Sequence, residues 1–238
     1  MPSGLGRLRT LLSLPLVAAQ GARVRRTIEV LPDATGANSG AVGSGDVDAL
    51  RLVVVGESTA AGCGLESHDE GMAAALARVI AAKSQRGVHW QVYGQSGASL
   101  RSIRTNVLPQ WDGSTDVAVL LAGVNDVLAR RHPGQWAEEL DATLHELTGR
   151  SDLVVAMGIP PFEAFPSLPR ALGRFLAAHA RQLDAVSEQR CVGRDDVQWV
   201  RSDGLVPIDP AFFARDGFHP SAAGYARWAE ALAPELRI

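Results

Sequence analysis

From residue 50 onward the chain repeats one unit, a short apolar run usually closed by glycine and followed by a longer segment with helical spacing. The runs are "LRLVVVG" (50–56), "VHWQVYG" (88–94), "DVAVLLAG" (116–123), "DLVVAMG" (152–158) and "VQWVRS" (197–202). Their continuous apolar character suits strands covered on both faces. The intervening segments supply the covers. Ser67 and Glu70 form a capping box, and Met72, Leu76, Val79 and Ile80 follow on one helical face. Residues 99–111 read as a second helix. In 133–150, Pro133 stands near a helix start and Trp136, Leu140, Leu144 and Leu147 recur at helical spacing. Residues 167–190 and 220–236 complete the set. This alternation predicts an α/β fold: a three-layer α/β/α sandwich around a five-stranded parallel sheet with right-handed crossovers. Ligands of such sheets gather at the carboxyl ends of the strands, where the closing glycines stand.

Residues 1–49 differ in kind and are expected to be an extension ahead of a domain spanning 50–238. Residues 32–48, rich in Gly, Ser, Ala and Asp, read as a linker or loop. Before them, Arg7, Arg9, Arg23, Arg25 and Arg26 surround the apolar run 11–19. That run is shorter than the roughly 20 apolar residues a spanning helix needs, and Pro15 interrupts it. Three readings stay open: a secretory signal removed within residues 1–22, a membrane-surface contact through residues 7–26, and a helix docked on the domain. A cytoplasmic location is the expectation.

The chain carries a net charge of -3, and beyond the five arginines 18 basic side chains face 26 acidic ones. A nucleic-acid partner would need a concentrated basic face, and none is expected. Cys63 and Cys191 form neither a disulfide framework nor a metal cluster and read as free thiols. His68, His89, His132, His145 and His179 lack metal-ligand spacing, so neither metal nor other cofactor is expected. The protein is expected to act as a monomer.

Four loops carry the chemistry. "GESTAAG" places Ser58 after the first run, "GQSGAS" follows the second, "GVND" the third, and "DGFHP" precedes the last helix. A serine hydroxyl is a weak nucleophile until a base takes its proton, and histidine is the usual base near neutral pH. Asp216, three residues before His219, can hold the tautomer that leaves the far ring nitrogen free to accept. An oxyanion needs donors placed in advance; the backbone N–H of Ser58, that of Gly97 and the amide of Asn125 are the candidates. An α/β-hydrolase would have several strands before its serine and would separate acid from histidine; here the serine follows the first domain strand. "GESTAAG" lacks the lysine of a phosphate-cradling loop.

In these residues the chain resembles the SGNH hydrolases, the GDSL esterase and lipase family, named for a serine, glycine, asparagine and histidine in four blocks. Ser58, Gly97, Asn125 and His219 match them. The resemblance covers residues 50–236 and implies a flavodoxin-like sandwich, a catalytic set Ser58–His219–Asp216 and an oxyanion hole from Ser58, Gly97 and Asn125. Two departures stand out. Glu57 replaces the usual aspartate, and "YGQSG" lacks the asparagine often found there, which leaves Gly94 as a second choice for the donor assigned to Gly97.

The expected function is therefore hydrolysis of small or lipid-like carboxylic esters through an acyl-enzyme. Acyl transfer and carbohydrate deacetylation use the same machinery, and a non-catalytic acyl- or glycan-binding module is the alternative of another class. All six phenylalanines lie beyond residue 160. Phe162, Phe165 and Phe213 are expected to wall an apolar pocket near Ser58, against the plainer reading of a core beneath the loops.

Overall fold

The computed structural model describes residues 4–43 and 48–238, with side chains described from Leu14 onward. Six strands make one sheet: β1 Ser39–Val42, β2 Leu50–Gly56, β3 Val88–Gly94, β4 Thr115–Leu121, β5 Ser151–Met157 and β6 Val197–Val200. Their order is β1-β3-β2-β4-β5-β6. The last five run parallel. Counted from β2, their order is 2-1-3-4-5, the flavodoxin-like winding, whose ligand crevice lies between its first and third strands. Here that crevice falls between β2 and β4. The five expected strands are present, within a residue or two at each end.

The sixth strand corrects the linker reading of 32–48. β1 pairs antiparallel with β3, with Gly40 opposite Trp90. A Cβ on Gly40 would lie 2.7 Å from the Trp90 ring, so only glycine lets this edge strand close on the indole. Four small residues on an edge need no apolar alternation. That is why no strand signal stands in the sequence there.

The helices are α1 Gly4–Thr27, α2 Met72–Ser84, α3 Leu100–Ser102, α4 Val124–Leu128, α5 Pro133–Thr148, α6 Arg170–Cys191 and α7 Ala222–Leu232. α2 packs with α7, and α5 with α6, in the two outer layers of the sandwich. α3 continues through a π turn and a 3-10 turn to Gln110, filling the segment expected as one helix. The expected capping box does not form: Ser67 caps the 3-10 turn His68–Glu70 through Asp69 N, Glu70 accepts from Glu66 N (3.3 Å), and Gly71 is the N-cap of α2. The buried face of α2, with Met72, Leu76 and Ile80, covers the sheet as its periodicity predicts.

α1 docks on the domain. Val17 is buried, and the Gln20 side chain accepts a hydrogen bond from Leu172 N in the first turn of α6 (3.1 Å). No described helix is long and apolar enough to cross a membrane.

Gly56 ends β2 at the crevice. A Cβ there would lie 2.2 Å from the Leu121 carbonyl oxygen, a backbone atom of the neighbouring strand that cannot swing aside. The Gly56→Ala variant is expected to lose about 3 kcal/mol or more, a fall in melting temperature of roughly 6–12 °C by thermal denaturation. An unchanged melting point would refute this account of the close approach.

Candidate active site

The strand ends deliver the expected residues to one place. Glu57 N–H donates to Leu121 O (3.0 Å), which turns the chain out of β2 beside the end of β4 and leaves Ser58 at the crevice. Ser58 Oγ lies 3.0 Å from His219 Nε2, although 161 residues separate them. His219 Nδ1 lies 2.6 Å from Asp216 Oδ2. The other carboxylate oxygen, Oδ1, accepts from Phe218 N (2.9 Å) and His219 N (3.0 Å). Asp216 therefore shapes its own turn with one oxygen and orients the imidazole with the other. Gly217, at φ 62, supplies the left-handed residue that the turn requires. Behind it, Tyr225 Oη donates to Thr59 O (3.0 Å), tying α7 to the loop of Ser58.

The charges follow from this geometry. Burial opposes ionisation of Asp216, but the hydrogen bonds from His219 and the two backbone N–H groups prevail and hold its carboxyl below the usual range. Burial also opposes a charged His219. The hydrogen bond to Asp216, with the neighbouring Cys63 thiol, outweighs it and lifts the imidazole to about 9.

Gly97, at φ 77, lies in open space, and Gly94 takes a different task. A Cβ on Gly94 would lie 2.2 Å from Ala61 N, so its bare backbone lets β3 pack against the loop of Ser58. Among the described residues, neither Ser58 N–H nor Gly97 N–H has an acceptor in the protein. Asn125, in the first turn of α4, is held on every side. Its Nδ2 donates to Glu57 Oε2 (2.7 Å) and to Ala98 O (3.1 Å), and its backbone N donates to Glu57 Oε2 (3.1 Å). Val124 N adds a bond to Glu57 Oε1 (3.0 Å). Both amide hydrogens of Asn125 thus have acceptors already, and an oxyanion must compete with the Ala98 carbonyl for one of them.

Glu57 is the residue whose task the sequence does not disclose. It appears there only as a replacement for aspartate, whereas here its buried carboxylate joins the loop after β2 to the start of α4. Burial pushes its carboxyl up to about 7, against the three N–H groups that favour its charge. Asp126, next in the chain, is likewise structural: Oδ2 accepts from Leu100 N (2.7 Å), and Oδ1 pairs with Arg131 (3.1 Å).

The phenylalanine expectation divides. Phe165 and Phe213 line a narrow apolar cavity of about 40 Å³ beside Ser58 and His219, with Phe212, Phe218 and Trp228. Phe165 meets Phe213 (5.5 Å between ring centroids) and Phe218 (5.0 Å) edge-on, so the two loops join. Phe162 does not line it. That ring is fully buried and stacks under Phe165 at 5.3 Å, a core residue as the plainer reading had it. The 3-10 turn Phe162–Ala164 points it inward. A second cleft, of about 410 Å³, shares Ser58, Val124, Phe218 and His219 with that cavity and also reaches Gly97, Asn125 and Cys63. Cys63 and Cys191 are both buried and free.

The sequence model of the GDSL-like lipase/acylhydrolase family matches residues 54–227, nearly three quarters of the chain and all four loops of the site. The chain belongs to this family. A GDSL-like esterase of Mycobacterium tuberculosis (Rv1075c) is 27% identical over 203 residues, which span 79% of this chain and 62% of that protein. The match thus covers less than two thirds of that relative's length. Among solved structures, TesA superposes with a TM-score of 0.58 at 24% identity, over 79% of this chain and 98% of TesA. A lipase/acylhydrolase from Enterococcus faecalis gives 0.57 at 21%, over 78% and 94%. Axe2, an acetylxylan esterase from Geobacillus stearothermophilus, gives 0.55 at 20%, over 82% and 96%. At these identities the three structures speak to the fold, and they carry the α/β/α sandwich of this GDSL-family chain.

Glu57 gives a measurable signature. With its carboxyl raised from the ordinary 4.5 to about 7, the folded state holds this proton more tightly than the unfolded chain does. Its contribution to stability is therefore full below 4.5 and is lost as pH rises through about 7. Between those limits the wild type is expected to lose up to roughly 3 kcal/mol relative to Glu57→Gln. Denaturant unfolding at several pH values measures the difference, and parallel pH curves would contradict the assignment.

Proposed function

We propose that this protein is a serine esterase that cleaves carboxylic esters through an acyl-enzyme. The observation that carries the reading is the unbroken line from Ser58 Oγ to His219 Nε2 (3.0 Å) and from His219 Nδ1 to Asp216 Oδ2 (2.6 Å). With Nδ1–H donating to the carboxylate, Nε2 carries the lone pair that accepts the serine proton. Ser58 Oγ then bonds to the ester carbonyl carbon, and the carbonyl oxygen takes the electron pair as an oxyanion. The N–H groups of Ser58 and Gly97 receive that charge, and the Asn125 N–H now given to Ala98 O becomes the third donor as the oxyanion displaces that carbonyl as its acceptor. The imidazolium, steadied by Asp216, returns its proton to the departing alcohol oxygen. Water repeats the sequence on the acyl-enzyme, giving the acid and restoring Ser58.

A fluorophosphonate probe tests the nucleophile. Wild type is expected to label stoichiometrically and to hydrolyse 4-nitrophenyl acetate; Ser58→Ala is expected to lose both. Folded wild-type protein that neither labels nor hydrolyses a panel of esters would replace this reading with a binding module.

The raised imidazole sets the pH profile. His219 acts as a base only when neutral, so kcat/KM of wild type is expected to climb with pH, reach half its maximum near 9 and level off above it. Asp216→Asn removes the carboxylate that favours the imidazolium. Its plateau is expected at lower pH, with a rate lower by about 10³–10⁴-fold. A break at the same pH in both proteins would remove Asp216 from this role.

A further inference from the structure

The larger cleft has one wall that the family domain does not supply. The family match begins at residue 54, yet the wall facing Ser58 from the amino-terminal side is made by the end of α1 and the segment after it, with Val24, Ile28 and Leu31. Leu128 of α4 and Leu172 and Phe175 of α6 line the same cleft, with α6 packed directly against α1. Ser58, His219, Gly97 and Asn125 line it as well.

This wall is built in. Gln20 caps the first turn of α6 through Leu172 N, and Glu29 accepts from Arg215 Nε (2.8 Å), one residue before Asp216. Leu31 O accepts from Cys63 Sγ (3.3 Å), Pro32 O from Gly64 N (2.8 Å) and Ala61 O from Ala34 N (3.1 Å). A Cβ on Gly64, at φ 89, would lie 2.7 Å from Leu31 Cδ1, so the loop of Ser58 is shaped to seat that leucine. The segment thus lies as a strap across the loop that carries the reactive hydroxyl. Charge stands at the rim: Glu29 is paired with Arg215, and the Arg130 guanidinium lies 4.5 Å from the Phe175 ring centroid.

We propose that the end of α1 and the strap Glu29–Leu31 determine specificity at the ester site, and that the cleft they close takes a hydrocarbon chain of the substrate. The inference rests on the esterase reading. Its support is size as well as chemistry. The phenylalanine-lined cavity of about 40 Å³ holds little more than one water-sized group, whereas about 410 Å³ falls in the range of small-molecule sites. An extended chain leaving the reacting carbonyl therefore finds in this cleft apolar walls that reach Ser58 itself. The chain can belong to the acyl half or to the alcohol half of the ester, and two substrate series separate these.

The experiment measures kcat/KM for 4-nitrophenyl esters of acids from acetate to decanoate, and for acetate esters of alcohols from ethanol to decanol. In one series the wild type is expected to gain about fourfold for each added methylene until the cleft is full, the equivalent of about 0.8 kcal/mol per buried methylene. Val24→Trp and Leu128→Trp obstruct the cleft from two different helices, α1 and α4, and Leu128 is exposed enough to accept the larger ring without repacking the core. Each is expected to lower the eight-carbon to two-carbon selectivity ratio in that series by tenfold or more. A wild type that labels with fluorophosphonate but is indifferent to chain length in both series overturns this inference and leaves the esterase standing. So do variants whose ratio equals that of the wild type. A wild type that neither labels nor hydrolyses removes both readings together.

Discussion

A buried carboxylate in the crevice of the sheet holds the site together. Glu57 takes three hydrogen bonds from Val124 N, Asn125 N and Asn125 Nδ2. It thereby fixes the loop after β2 to the first turn of α4, at the point where the winding of the sheet reverses. Those donors offset part of the cost of burying its charge but not all of it, and without that acceptor three N–H groups would be orphaned. Each half stabilises the other, so Ser58 and Asn125 are held in fixed relation before any substrate arrives.

The same economy of parts recurs at the far side. Asp216 closes its own turn with one oxygen and holds His219 with the other, so the turn that presents the imidazole also sets its tautomer. Bare glycines allow the elements to meet at backbone distance: Gly56 against Leu121, and Gly94 against Ala61. The backbone of the site is consequently closely packed where bonds would be made. Its apolar surroundings are divided between a tight aromatic cavity and a more open, mostly aliphatic cleft.

Much of this was legible beforehand, for reasons of range. The parallel strands announce themselves because burial on both faces leaves continuous apolar runs, and α2 and α5 because one face repeats at helical spacing. Asp216 and His219 are three residues apart, so their partnership is a local matter. Ser58, Gly97 and Asn125 stand in short motifs at the ends of runs, where an α/β sheet collects its ligand groups. β1 left no mark, since an exposed edge of four small residues has no pattern to show. Phe162 and Phe165 looked alike, three residues apart on one loop, and a single 3-10 turn sends one into the core and the other to the cavity.

By itself, then, the sequence determined the layered parallel fold and the identities of the groups brought to its crevice, because short-range periodicity and local turns encode both. Only the tertiary structure decided what those groups touch. Glu57 reaches an asparagine 68 positions away, and Gln20 caps a helix 152 positions away. Leu31 settles on a loop whose glycine leaves room for it. Such contacts depend on the relative placement of elements after packing, and no window of sequence contains both partners. For the same reason only the folded chain brings the last turns of the amino-terminal helix to the cleft that Ser58 lines.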